Sequence, residues 1–182
     1  VISIGAIAVD WENDVIWLGT GEVNSSRSSY SGIGVFKSTD AGETWTHMGL
    51  SESHHIGRIQ LHPNDPQTAW VAVLGHLYSP NQERGIYKTT DGGITWNKML
   101  FISDTVGFAD LELLPGNPNV IYAAAWKAER KPWTIISGGT KEEGGIYKSV
   151  NGGQDWEKLE NGLPENTIGK IGRIALRAST VD

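Results

Sequence analysis

At 182 residues the chain is long enough to bury one ordinary core, and 21 acidic against 15 basic side chains give it a net charge of −6. That balance excludes the basic footprint of a nucleic-acid binder. The absence of cysteine excludes disulfides, thiol nucleophiles and zinc–thiolate sites, and no apolar run reaches the ~20 residues of a membrane-spanning helix, so neither nucleic acid nor membrane is an expected partner.

Residues 4–9 read as a first strand, with Ile7 and Val9 apolar, and Trp11-Glu12-Asn13-Asp14 as the turn into a second strand at 15–19. A long polar loop, 20–32, leads to Gly34-Val35-Phe36-Lys37-Ser38-Thr39-Asp40-Ala41-Gly42-Glu43-Thr44-Trp45. That stretch reads as a strand, a tight turn and the start of another strand, which ends near Met48. The order then restarts. A strand at 57–62, the turn Pro63-Asn64-Asp65-Pro66, a strand at 69–74 and a loop at 75–84 precede Gly85-Ile86-Tyr87-Lys88-Thr89-Thr90-Asp91-Gly92-Gly93-Ile94-Thr95-Trp96. The third round has strands at 109–114 and 120–125 around Pro115-Gly116-Asn117-Pro118. A longer loop, 126–144, then leads to Gly145-Ile146-Tyr147-Lys148-Ser149-Val150-Asn151-Gly152-Gly153-Gln154-Asp155-Trp156. Residues 171–176 read as the first strand of a fourth unit, and helical periodicity is absent throughout.

The thrice-repeated stretch has a local physical logic. A Ser or Thr hydroxyl and an Asp carboxylate (an amide at Asn151) hydrogen-bond nearby backbone amides. Glycine supplies the positive φ of the turn, and Trp45, Trp96 or Trp156 anchors it to the sheet. This is the Asp-box pattern S/T-x-D-x-G-x-T-W, and over essentially its whole length the chain resembles the BNR/Asp-box β-propeller family. Within that family it is most similar to bacterial glycosyl-hydrolase-like BNR repeat proteins related to the sortilin/Vps10 propeller. Asp40, Asp91 and Asn151, with the three tryptophans, are expected to be structural. Trp17, Trp70 and Tyr122 recur about every fifty residues in the second strand of each round, the period of a four-stranded propeller blade.

The expected fold is therefore all-β: a β-propeller arc of three four-stranded blades, about 2–49, 56–101 and 108–160, plus one strand of a fourth at about 170–177. Three blades do not close a ring, and Val1 already lies in strand-like sequence, so the remaining blades of a larger propeller are expected partners. In such an arc the short turns and Asp-boxes occupy one face. The long loops 20–32, 50–57, 75–84, 101–108, 126–144 and 160–169 occupy the other, where function is expected.

On the loop face Glu22 directly follows Leu18-Gly19-Thr20-Gly21 and leaves the end of a rigid strand, a platform for a positioned acid or base. Asp110 starts a strand in the same register as Ala6, Arg58 and Arg173. That register makes it either a second catalytic acid in a charged ring at the channel mouth, or half of an Arg58–Asp110 ion pair locking neighbouring blades. Tyr30, Tyr78 and Trp133 offer stacking surfaces for sugars or peptide side chains, or fold their loops onto the blades. Arg27, Arg84 and Arg130 offer guanidinium forks for hydroxyls or carboxylates. His54, His55 and His76 share the face as hydrogen-bonding groups. No metal or other cofactor is expected, because adjacent imidazoles rarely ligate one ion and no carboxylate stands at a recognised spacing. The resemblance implies a secreted (extracellular or periplasmic) carbohydrate-active or carbohydrate-binding propeller, a glycoside hydrolase if an enzyme. The alternative is a non-catalytic, sortilin-like propeller that binds peptide or protein. A sialidase would need three clustered arginines and a tyrosine–glutamate pair, which the motifs do not assemble.

Overall fold

The computed structural model describes residues 3–161 and 171–180. Its strands form three antiparallel sheets, the first two meanders of consecutive strands and the third branched at its second strand, which pairs with the first, third and fourth. The first holds β1 (Ile4–Asp10), β2 (Val15–Thr20), β3 (Val35–Ser38) and β4 (Thr46–His47). The second holds β5 (Ile56–Leu61), β6 (Ala69–Val73), β7 (Gly85–Thr89) and β8 (Asn97–Leu100). The third holds β9 (Val106–Leu114), β10 (Asn117–Arg130), β11 (Ile135–Ser137), β12 (Gly145–Ser149) and β13 (Glu157–Lys158). The described residues contain no α-helix, only 3-10 turns at Ser51–Ser53 and Lys141–Glu143. The all-β propeller arc is what the sequence led one to expect.

The Asp-boxes make the bonds their composition calls for. The hydroxyls of Ser38, Thr89 and Ser149 accept from the amides of Gly42, Gly93 and Gly153 at 2.8–2.9 Å. They donate to Asp40, Asp91 and Asn151 at 2.7, 2.7 and 3.0 Å. In the first two boxes Thr44 and Thr95 donate their hydroxyls to the aspartate at 2.5 Å. The third box reverses this polarity: the Asn151 amide donates to the Asp155 carboxylate at 2.8 Å. The copy that looks degraded in sequence is thus compensated within itself.

Packing between blades explains the recurring aromatics. Trp17, Trp70 and Tyr122 each lie beneath the lysine opposite them on the next strand, Lys37, Lys88 and Lys148, at 4.5, 4.9 and 5.7 Å. The first two are roofed by the Asp-box of the following blade. Trp96 meets Trp17 edge-on at 6.2 Å, and the Trp70 indole donates to Gly152 O at 3.1 Å. At Gly93, φ is 98° and a Cβ would stand 2.9 Å from the Trp17 ring, so only glycine fits. Among the described residues nothing gives blade one such a cover on its outer side. Ile7 is 62% exposed where its register equivalent Ile59 is 3% exposed, and Trp45 lies open.

Innermost strands β1, β5 and β9 carry a register shift at the same place, before Ala6, Arg58 and Asp110. These three residues therefore do share a register. Two segments depart from expectation. Residues 126–144 are not a plain loop: β10 runs on to Arg130 and pairs with β11, because Arg130 N donates to Leu77 O and Ala128 O accepts from Arg84, both in the second blade. Residues 171–176 form no strand ladder within the described residues. That segment bridges to Gly139 at Ile171 and donates Leu176 N to Asp110. Most of the expected 160–169 loop lies outside the described residues.

Candidate functional site

Strand direction separates the two faces. The turns β1–β2 and β3–β4 come together at one end, where Ala41 N donates to Asp14 O, and the same occurs at Gly92 with Gln67 and at Gly152 with Asn119. At the other end the long loops contact one another. Gly32 N donates to His54 O at 2.6 Å, Glu22 N to Tyr30 O at 3.1 Å, and the Tyr78 hydroxyl to Arg27 O at 3.0 Å. The last of these bonds joins the long loops of the first and second blades.

On this face Tyr30, Tyr78 and Trp133 are exposed, Trp133 to 89%, and Arg27 is exposed beside the Tyr78 contact. Glu22 is half-buried at the exit of β2, and among the described residues its carboxylate accepts no hydrogen bond. The structure does not bring Glu22 into contact with Asp110.

Asp110 has other work. One of its oxygens accepts from Arg58 Nε at 2.7 Å and from Leu111 N at 2.9 Å, and the other accepts from Leu176 N at 2.8 Å. The carboxylate, 6% exposed, ties the second blade, the third blade and the 171–180 segment together. The ion pair raises the Arg58 pKa through its hydrogen bond to Asp110. Glu112 repeats the device, accepting from Gln60 at 2.8 Å and from Arg177 at 3.2 Å. Three hydrogen bonds, one of them an ion pair, thus engage the buried Asp110 carboxylate in holding the blades together. Arg173 is exposed and stands outside these bridges.

Two further expectations need correction. Arg84 presents no fork to a ligand: it is fully buried and donates to Leu74 O at 2.8 Å, to His76 O and to Ala128 O at 3.3 Å. Desolvation pulls its pKa down to about 10. His55 is also buried, and burial lowers its pKa to about 4, aided by His54. Arg130 is half-buried, with its backbone amide on Leu77 O and its Nε buried.

The histidines group differently from their sequence adjacency. His54 stacks on His76, ring centroids 3.5 Å apart at 20°, while His55 lies edge-on to His54 at 6.3 Å. The Glu52 carboxylate reaches to 3.9 Å from His76 Nε2, so one ligand atom from each of Glu52, His54 and His76 lies within 4.8 Å of the other two. Sequence spacing hid this group, because its members come from an inter-blade turn and a separate loop. A concavity of about 590 Å³ lies on the opposite face, between the turns of the first two blades, and is lined by Asp10, Trp11, Glu12, His62 and Asp65 among others.

A sequence model of the family described as Sortilin, neurotensin receptor 3 (Sortilin-Vps10) matches residues 33–170. The xyloglucanase Xgh74A of Acetivibrio thermocellus is 25% identical over 169 residues, taking in 78% of this chain and 18% of that protein. Among solved structures, an ancestral GH74 enzyme superposes with a TM-score of 0.63 at 19% identity, over 86% of this chain and 18% of its own. The GH74 xyloglucanase of Xanthomonas campestris gives 0.59 at 15% identity, over 90% of this chain and 23% of its own. At these identities the structural likeness concerns the propeller fold. The chain spans 18% of the length of the curated relative it matches. Among the described residues no helix is long and apolar enough to cross a membrane, which says nothing of membrane β-barrels.

Proposed function

Because the chain belongs to the Sortilin-Vps10 family of Asp-box propellers, we propose that its long-loop face binds a glycan chain of the β-glucan class. The observation that carries this reading is the Tyr78–Arg27 contact. It fixes the loops of two blades to each other and leaves Tyr30, Tyr78 and Arg27 exposed on one platform. Sugar rings present flat C–H faces that stack on such aromatics, and their hydroxyls suit guanidinium and backbone donors. Trp133, at the tip of the β10–β11 hairpin, extends the surface. The similarity to Xgh74A, a xyloglucanase by name, supports the choice of glycan.

Glu22 is the carboxylate this reading assigns to acid or base chemistry. Among the described residues its oxygens accept no hydrogen bond, its backbone amide is bonded to Tyr30 O, and it leaves the end of a strand whose position is fixed by packing. Glycoside hydrolysis needs a second carboxylate at roughly 5–10 Å. With Asp110 committed to Arg58, that second acid comes from another blade of the ring. The open outer side of blade one, with Ile7 and Trp45 exposed, is where such a neighbouring blade would pack. A secreted location belongs to the same proposal, since polymeric glycans lie outside the cell membrane.

A second reading is favoured by the family match and by β11, which ends its sheet's strand order and whose outer edge pairs with no strand among the described residues. An extended peptide would add to that edge as a further strand. The two readings separate in one experiment on the full chain. With Glu22→Gln, glycan affinity stays within about twofold while any turnover falls by at least ~100-fold, the usual size of a general acid–base contribution. Failure of xyloglucan and β-glucan oligosaccharides to bind would overturn the glycan reading, and normal turnover by Glu22→Gln would overturn the role of Glu22.

A further inference from the structure

The connection from the first blade to the second is a single 3-10 turn, Ser51–Ser53, flanked by Leu50 at φ 56° and His54 at φ 53°. Side chains resist this region, so two such residues in a short span mark a backbone held by its surroundings. The hold on His54 is visible: its carbonyl accepts from Gly32 N at 2.6 Å. His76 is braced independently in the 75–84 loop. Its amide donates to Asn81 Oδ1 at 3.0 Å and its carbonyl accepts from Arg84. These restraints set the two imidazoles face to face, with the Glu52 carboxylate beside them.

We propose that Glu52, His54 and His76 form a binding site for a divalent transition metal, with Zn²⁺ the fitting ion, which pins the inter-blade turn to the long loop of the second blade. Two imidazole nitrogens and one carboxylate oxygen make a three-ligand set that suits Zn²⁺ and leaves a further position open. Calcium and magnesium prefer all-oxygen shells and fit the set poorly. Tetrahedral geometry at ~2.0–2.1 Å from the metal separates ligand atoms by about 3.4 Å. The present spread, within 4.8 Å, closes by rotation of Glu52, whose side chain is exposed, and by a small splay of the stacked rings.

Proton bookkeeping is also provided for. His76 Nε2 now faces Glu52 O at 3.1 Å, a contact that uses its proton. On metal binding that proton leaves Nε2, and Nδ1–H faces the Ser79 hydroxyl oxygen at 3.4 Å, the kind of outer partner that orients a ligating histidine. His55 is not a ligand, since it lies buried and edge-on to His54. The site shares its face with Tyr78 but requires no glycan.

The test is Zn²⁺ titration of the untagged full chain by calorimetry with a competing chelator, with Co²⁺ as a spectroscopic probe. One Zn²⁺ per chain with a micromolar or tighter Kd is expected, and Co²⁺ should give the intense visible bands of a low-coordinate nitrogen–oxygen site. His54→Ala or His76→Ala should weaken Zn²⁺ by at least ~100-fold, and Glu52→Gln by about tenfold or more. Glu52→Gln lies on an exposed turn and keeps the fold, so it tests the site even where a histidine variant misfolds. His47→Gln and His62→Gln should bind as the parent does. Millimolar binding by the parent, an aqueous-like Co²⁺ spectrum, or an affinity unchanged by Glu52→Gln and His76→Ala would each overturn the proposal.

Discussion

Side-chain protonation gives this propeller two separate acid-sensitive windows. Hydrogen bonds hold the Asp40 carboxyl at a pKa of about 2, chiefly from Ser38 and then Thr44. Those from Thr95, then Thr89, do the same for Asp91. A depressed folded-state pKa means that the stabilisation is present above the unfolded value near 3.8 and disappears as pH falls towards 2. Burial lowers the His55 pKa to about 4, so that ring folds neutral, and burial lowers His54 as well. The His55 contribution is present above about 6.5 and is lost as pH falls towards 4. The melting temperature should therefore drop in two steps. His55→Leu should flatten the upper step and Asp91→Ala the lower, and a single step shared by all variants would contradict the assignment. Asp91→Ala should also lower the melting temperature at neutral pH without weakening ligand binding. The third Asp-box supplies a sharper test, because Asn151 donates to Asp155. Restoring the repeat's usual acid with Asn151→Asp should set two carboxylates against each other and cost on the order of 1 kcal/mol in urea unfolding. The added change Asp155→Thr should recover the loss. Additivity of the two changes would refute the exchange of donor and acceptor.

Between the strands, aromatic residues hold one blade to the next. Trp70 is 1% exposed, lies under Lys88 and donates to the Asp-box of the third blade. Trp70→Ala should cost about 3–5 kcal/mol in denaturant unfolding, the range for emptying a large aromatic site. A cost below about 1 kcal/mol would mean that the blades do not depend on this contact. Most of the blade pattern is legible in the sequence, because alternation, turn residues and the aromatic period all report local geometry. The 126–144 segment is not. Pro132 and the Gly138-Gly139 pair punctuate it as a loop, whereas its extension of β10 is set by Arg84 and Leu77 from the neighbouring blade. For residues 171–176 the strand-like pattern is present without a ladder partner among the described residues, and pattern alone makes no ladder.

At the scale of the whole molecule, rigid blades present two unlike faces. The division between turn face and loop face follows from strand order, and so it was readable in advance. What each polar side chain does on its face was not, because that depends on burial from other blades. Arg84 looks like a free fork in sequence and is a buried brace, Asp110 is a three-way clamp, and Glu52 stands with histidines that no spacing links to it. The claim that ligand binding belongs to the loop face meets a direct competitor in the 590 Å³ groove on the turn face, which carries its own exposed tryptophan. Trp133 at 89% exposure and Trp11 at 85% are thus a matched pair on opposite faces. The most direct measurement is the affinity of the full chain for xyloglucan oligosaccharides with each tryptophan replaced. Trp133→Ala should weaken binding by about tenfold or more, a stacking-sized loss, and Trp11→Ala should leave it unchanged. Loss of affinity in Trp11→Ala with retention in Trp133→Ala would contradict the account and move the ligand to the Asp-box face.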